Sequence, residues 1–254
     1  MRTLSAAALV LLIVILIWVT KSYPVAMVGN SFITVRNVNQ QYDIATKLDP
    51  KTDKKTVFDQ LVTNVKKQQL SGKVDLEREL KFYKEGKTDE YNKFLSDYFN
   101  GDEKQFIRQV VVPNAYEGKL AIQYNSDFGL NNNAYNRANN IIDKLNAGES
   151  FEELAKTYSD DKISGQLGGD LGFVTEDQIL PELAKALSPS TLGEHKKQII
   201  VSRLGYHILY PVEAAEKDGQ KVLHLKHILI ATSGFSDWVN KQMDSIAVRR
   251  FGSI

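Results

Sequence analysis

The chain predicts an α+β protein: an apolar N-terminal helix, a helical domain, then a mixed unit in which helices flank an antiparallel sheet. Three observations carry this. Leu4 to Thr20, "LSAAALVLLIVILIWVT", is uncharged and strongly apolar. From Asn37 to about Asn125, apolar residues recur three and four apart with charges between them. Near the C-terminal end, "GYHILYPVE" and "VLHLKHILIA" read as strands on either side of the polar stretch "AAEKDGQK".

The apolar run is about 17 residues, roughly 25 Å as a helix, which is enough to cross a bilayer with some thinning. Arg2 and Lys21 flank it almost symmetrically, but a short N-tail before a large domain leaves the tail cytoplasmic and the bulk outside. An uncleaved anchor is the preferred reading. A cleaved signal peptide competes with it, but its apolar region would be shorter, and "WVTKSYPVA" offers only a weak cleavage site.

After the anchor, Gly29-Asn30 lies between two short apolar runs and predicts a hairpin, followed by a helix. "TVFDQLVTNVKKQQL", "DLERELKFYKEG" and "EYNKFLSDYFNG" are amphipathic helices. Asp102 is placed to cap the next one and Pro113 to kink it, although "IRQVVV" by itself also suits a strand.

A second unit opens near Asn131. Ala138, Ile141, Ile142 and Leu145 form one helical face, Gly148 stops that helix, and Ser150 with Glu153 three residues on starts another. A glycine-rich turn, a short strand, a helix from about Pro181 and two strands follow, and then "FSDWVNKQMDSIAVRRF" supplies a last helix and strand.

Composition narrows the chemistry. The net charge is +1 with no basic block, which gives nucleic acid no reason to bind. Cysteine is absent, so disulfides, thiolate metal sites and cysteine nucleophiles are excluded. The four histidines lack zinc-site spacing, and "GGDLG" lacks phosphate-loop spacing. Neither a metal nor another cofactor is expected.

"AGESFEELAKTYSDD", "GGDLGF", "QILPELAKAL" and "LGYHILY", in this order and spacing, resemble the parvulin-type peptidyl-prolyl isomerases, whose domain is FKBP-like. "AMVGNSFITVRNVNQQYD" is similar to the opening of the helical chaperone part of bacterial extracytoplasmic foldases. The resemblance implies a signal-anchor over 1–22 and a chaperone-like domain over 23–125, completed by 231–254. It places a parvulin domain over 126–230.

Parvulins begin with a strand whose histidine faces the active site, but "IRQVVVP" has none. Either Gln109 replaces that histidine, or the strand has moved to the far end of the domain as "LKHILI" within 222–230. The family's first and last strands are antiparallel neighbours, so a hairpin joining them would preserve the sheet in a circular permutation. His227 then takes the role of the first histidine and His207 that of the second.

A simple two-residue turn at Asp218-Gly219 would place His227 opposite Tyr210, pointing away from His207. An odd-length loop or a bulge is therefore required.

Among the other residues, Asp161 and Ser202 match the family's remaining polar site positions. Ile179, Leu183 and Phe173 match its substrate-binding pocket, where the family usually has methionine and phenylalanine in place of the two aliphatics. His224 falls on the opposite strand face from His227, and His195 in a loop. The function implied is a single-pass membrane foldase with its bulk extracytoplasmic. It would bind unfolded or newly translocated polypeptide and exchange X-Pro bonds between cis and trans. A non-catalytic holdase and a purely structural envelope protein are the alternatives.

Overall fold

The computed structural model describes residues 14, 16–84, 88–187, 192–194, 198–217 and 219–252. Most of the apolar run, and His195, lie outside these residues. Among the described residues no helix is long and apolar enough to cross a membrane.

The elements in chain order are β1 (Pro24–Val28), β2 (Ser31–Thr34), α1 (Val35–Leu48), α2 (Lys54–Ser71), α3 (Leu76–Lys84), α4 (Thr88–Phe99), α5 (Glu103–Phe106) and a π-helical turn (Ile107–Val111). They continue with α6 (Val112–Asn125), α7 (Asn132–Asn146), α8 (Phe151–Tyr158), α9 (Lys162–Gln166), β3 (Asp170–Val174), α10 (Pro181–Ala186), β4 (Ile200–Ser202), β5 (Gly205–Lys217), β6 (Gln220–Ala231), α11 (Phe235–Asp244) and β7 (Val248–Arg250).

The chain divides into two compact units: residues 1–74, 87–116 and 240–254 in one, and 75–86 with 117–239 in the other. In the first, β2, β1 and β7 form an antiparallel sheet in that order. Val28 pairs with Ser31, so the Gly29-Asn30 turn closes as its composition predicts. Val25, Ala26, Val28 and Ile33 bury against Val38, Val57 and Phe58 of α1 and α2. Thr34 and Asn37 cap α1 reciprocally, and Asp102 caps α5 by accepting from the Gln105 amide.

"IRQVVV" is helical, not extended. Pro113 has no N–H to offer the carbonyl four residues back, and the wider π-turn ahead of it accommodates that loss, with the Val112 amide donating to the Ile107 carbonyl. Gln109 therefore sits on a helix and occupies no strand position.

The second unit is built on a four-stranded antiparallel sheet in the order β3-β6-β5-β4. Tyr206, Ile208, Ile228 and Ile230 point to one face and bury against Ala138, Ile141, Leu145, Phe151 and Leu154 of α7 and α8. Leu209 and Leu225 point to the other, with Ile200, Ile179 and Leu183. Gly148, at φ +90, ends α7, and Ser150 caps α8 by accepting from the Glu153 amide. Glu79 of α3 is tied within this unit by an ion pair to Arg203, in the β4–β5 turn.

Candidate active site on the sheet face opposite α7 and α8

Alternation along β5 sends Tyr206 and Ile208 to the helical core and His207 and Leu209 to the other side. On β6 the same rule puts Ile228 and Ile230 in the helical core and His227 on the face of Leu225. Whether the two histidines share a face is decided by register. Lys217 pairs with Gln220, the register of a two-residue connection, in which Asp218 lies outside the described residues. Pairing then slips between Pro211 and Glu213, where Val212 is the extra residue of a β-bulge. Beyond the bulge His227 pairs with Leu209 and His207 with Leu229, so the two imidazoles are diagonal neighbours on one face.

Their Nδ1 atoms are 3.3 Å apart and their ring centroids 5.5 Å. The Ser202 hydroxyl, on β4, lies 2.8 Å from His207 Nε2 and also accepts from the Leu204 amide at 3.0 Å. At the other end, His227 Nε2 is 3.0 Å from Asp161 Oδ2 and 2.9 Å from the Ser164 hydroxyl. Ser202, His207, His227 and Asp161 thus form one hydrogen-bonded line, with Ser164 as a fifth member absent from the sequence-based set. The signal for Ser164 was in the Asp-x-x-Ser spacing, since an N-cap aspartate and the residue three positions on meet in the first helical turn.

Backbone contacts put Asp161 there. The loop from Ser159 to Asp161 runs beside the end of β6: the Asp160 amide donates to the Leu229 carbonyl, the Leu229 amide to the Ser159 hydroxyl, and the Ala231 amide to the Asp160 carboxylate. Gly169 brings the other flank in. Its carbonyl accepts from the His227 amide at 2.8 Å, and at φ +84 a Cβ there would lie 2.4 Å from the His227 carbonyl oxygen. Glycine is demanded at that close approach.

His207 is 1% exposed and His227 6%. Burial, assisted by its neighbour His227, pushes His207 down to about 3, and burial likewise pushes His227 down against the opposing pull of Asp161. Both rings are neutral near pH 7. Burial alone would raise Asp161, but hydrogen bonds from Ser164 and His227 outweigh it and hold the carboxyl below its ordinary value. The His227–Asp161 contact is therefore a hydrogen bond from a neutral ring to a carboxylate.

Ile179 and Leu183 join the apolar cluster on the histidine face, with Leu209 and Leu225. Phe173 does not reach that face. Asp170 pairs with Lys226 but Phe173 with His224, because a bulge intervenes; without it Phe173 would oppose Leu223. Its ring instead stacks on His224 at 5.0 Å and carries Lys217 Nζ at 3.6 Å. His224 also contacts Asp170 at 2.9 Å. Among the described residues no cluster of histidine and carboxylate groups is arranged to hold a metal ion.

The arrangement is a hydrogen-bonded polar line, two neutral imidazoles ending on a carboxylate, beside an apolar wall. It can orient hydrogen-bond donors and acceptors against a bound amide, and its hydroxyls face neutral imidazoles that burial keeps from taking up protons.

The sequence profile of the PPIC-type PPIase domain, or rotamase, matches residues 123–213. Among curated proteins, the chain is 27% identical over 135 residues to chaperone SurA of Alkalilimnicola ehrlichii, covering 51% of this chain and 31% of that one. It is 29% identical over 147 residues to foldase protein PrsA 2 of Bacillus cereus, covering 53% of this chain and 51% of that one. The chain thus spans about a third to a half of these relatives. The crystal structure of the peptidylprolyl isomerase PrsA from Bacillus anthracis is 20% identical, covers 73% of this chain and 84% of its own, and superposes with a TM-score of 0.26, too low to compare folds. The profile match ends before β6 begins, although β6 lies at the centre of the sheet. On these findings the chain carries a parvulin-type, PPIC-class peptidyl-prolyl isomerase domain and is related to the SurA and PrsA foldases.

Proposed function

We propose that this protein is a membrane-anchored extracytoplasmic foldase that binds unfolded polypeptide and catalyses cis/trans exchange at X-Pro bonds on the His207–His227 face. The single observation that carries the reading is the hydrogen-bonded line from buried Ser202, His207 and His227 to the half-buried Asp161, on the sheet face that also carries Ile179 and Leu183. Prolyl isomerisation breaks no covalent bond; its barrier is amide resonance, about 18–20 kcal/mol. A catalyst need only bind the twisted amide more tightly than either planar form. An apolar wall receives the proline ring and favours the less delocalised amide, while fixed dipoles meet the carbonyl as it rotates.

β6 serves as the parvulin first strand moved to the end of the domain, in a circular permutation. Its central place between β5 and β3 and the bulged β5–β6 hairpin support this. Leu4 to Thr20 is the anchor, and the helical unit holds the client.

The test is line-shape NMR exchange on a series of Xaa-Pro peptides with the full-length protein, next to His207→Ala and His227→Ala. Faster exchange that both substitutions abolish, with the fold retained, supports the reading. No acceleration on any peptide overturns it in favour of a peptide-binding holdase, which the aliphatic pair Ile179 and Leu183 would also suit.

A further inference from the structure

The polar line has one self-consistent proton order, and Ser164 stands at its fixed end. Asp161 is ionised and can only accept, so His227 Nε2 carries its proton toward Oδ2. A neutral imidazole has one donor and one acceptor, so His227 Nδ1 is a bare lone pair. The 3.3 Å contact between the Nδ1 atoms then requires the proton to sit on His207 Nδ1. His207 Nε2 must in turn accept from the Ser202 hydroxyl, whose oxygen takes the Leu204 amide. Every proton points the same way, from the β4–β5 turn toward Asp161.

That order is only as fixed as Asp161 Oδ2. Oδ1 is held by the backbone amides of Ile163 and Ser164, at 3.0 and 3.3 Å. Oδ2 is held by the Ser164 hydroxyl at 2.7 Å, and the same hydroxyl oxygen lies 2.9 Å from His227 Nε2. Ser164 is 4% exposed, so no bulk water substitutes for it. Its hydroxyl donates to Oδ2 and offers its lone pair to the shared His227 proton, closing a three-membered ring of contacts.

We infer that Ser164 is a positioning residue: it locks the Asp161 carboxylate against His227 and thereby sets the proton order through both histidines to Ser202. This rests on the isomerase reading of the same site only where catalysis is concerned. Removing the hydroxyl frees Oδ2 to turn and leaves room for a water that can donate to His227 Nε2, which admits the reverse order.

The experiment is long-range 1H–15N NMR on 15N-histidine-labelled full-length protein, whose four histidines give a simple spectrum. Wild type is expected to show His227 protonated at Nε2 only and His207 at Nδ1 only. Ser164→Ala is expected to move both rings to averaged shifts and to lower kcat/KM about tenfold, the usual loss for a hydrogen bond to a charged group. Ser164→Thr is expected to restore both. Should Ser164→Ala fail to fold, Ser164→Gly gives the same test, because it too removes the hydroxyl; Asp161→Asn checks the proton order separately, because its amide donates to His227 Nε2 and must reverse both tautomers. Opposite tautomers in wild type, or unchanged tautomers in Ser164→Ala, in Ser164→Gly or in Asp161→Asn, would overturn the inference. Absent catalysis in wild type, together with the expected tautomer change, would sink the isomerase reading and leave the positioning role standing.

Discussion

His227 pairs across the hairpin with Leu209, not with Tyr210, and the one-residue difference is Val212. A two-residue connection and a straight ladder would have sent the two histidines to opposite faces of the sheet. The bulge absorbs the odd residue between the turn and the site, so each end of the hairpin keeps the pairing its own side chains require.

Deleting Val212 should therefore be tolerated. The register on both sides of the bulge is already continuous once the extra residue is gone, and Val212 is only partly buried. The deletion is expected to keep the His207–His227 contact and to change unfolding free energy by no more than about 1–2 kcal/mol. Imidazole cross-peaks and urea unfolding check it; loss of the histidine contact would mean that the bulge does more than set register.

Phe173 and Leu183 should separate in kinetics. Phe173 lies on the face of His224, away from His227, whereas Leu183 is 3% exposed in the apolar wall. Phe173→Ala is expected to leave kcat/KM within about twofold, because only the stack on His224 and the cation–π contact with Lys217 are lost. Leu183→Ala is expected to lower kcat/KM and to cost about 2–4 kcal/mol of stability through the cavity it opens. Peptide exchange rates beside urea unfolding of both variants decide the matter.

These placements show where sequence reasoning reaches and where it stops. Caps at Asp102 and Ser150, the Gly29-Asn30 turn and the periodic core face Ala138–Ile141–Leu145 are local, and composition specified them. The meeting of His207 and His227 on one face is legible as a condition, since strand parity demands a bulge, but no residue type announces that it sits at Val212. Phe173 was misplaced for the same reason: the bulge before it, at Leu171-Gly172, reverses parity in a strand too short to display its alternation. "IRQVVV" carried β-branched residues into a helix because burial outweighed local preference, Val111 being fully buried.

Gly169 and Gly172 both have positive φ, +84 and +71, but only Gly169 is crowded. Alanine at 172 meets open space and should cost about 1 kcal/mol from backbone strain alone. Alanine at 169 must also push its Cβ into the His227 carbonyl, so about 3 kcal/mol or more is expected, with loss of the histidine geometry. Thermal unfolding of the two variants measures the difference; equal losses would mean that β6 yields freely at His227.

Acid should weaken this domain before its carboxylates titrate. His207 has its folded pKa depressed to about 3, and His227 is depressed too, while in the unfolded chain both titrate near 6.5. Below that value the unfolded state binds protons that the folded state refuses, so stability rises with pH and is lost as pH falls from about 6.5. Asp161 acts lower down: its folded pKa is below the ordinary value, so its contribution is present above about 4 and lost only as pH falls beneath that. Between pH 7.5 and 5, His207 alone should cost about 2 kcal/mol. Urea unfolding at the two pH values, for wild type and His207→Gln, tests this. The wild type is expected to lose stability across the interval and the variant markedly less; equal slopes would mean that the buried ring takes up its proton without penalty, and that the site is open to water in solution.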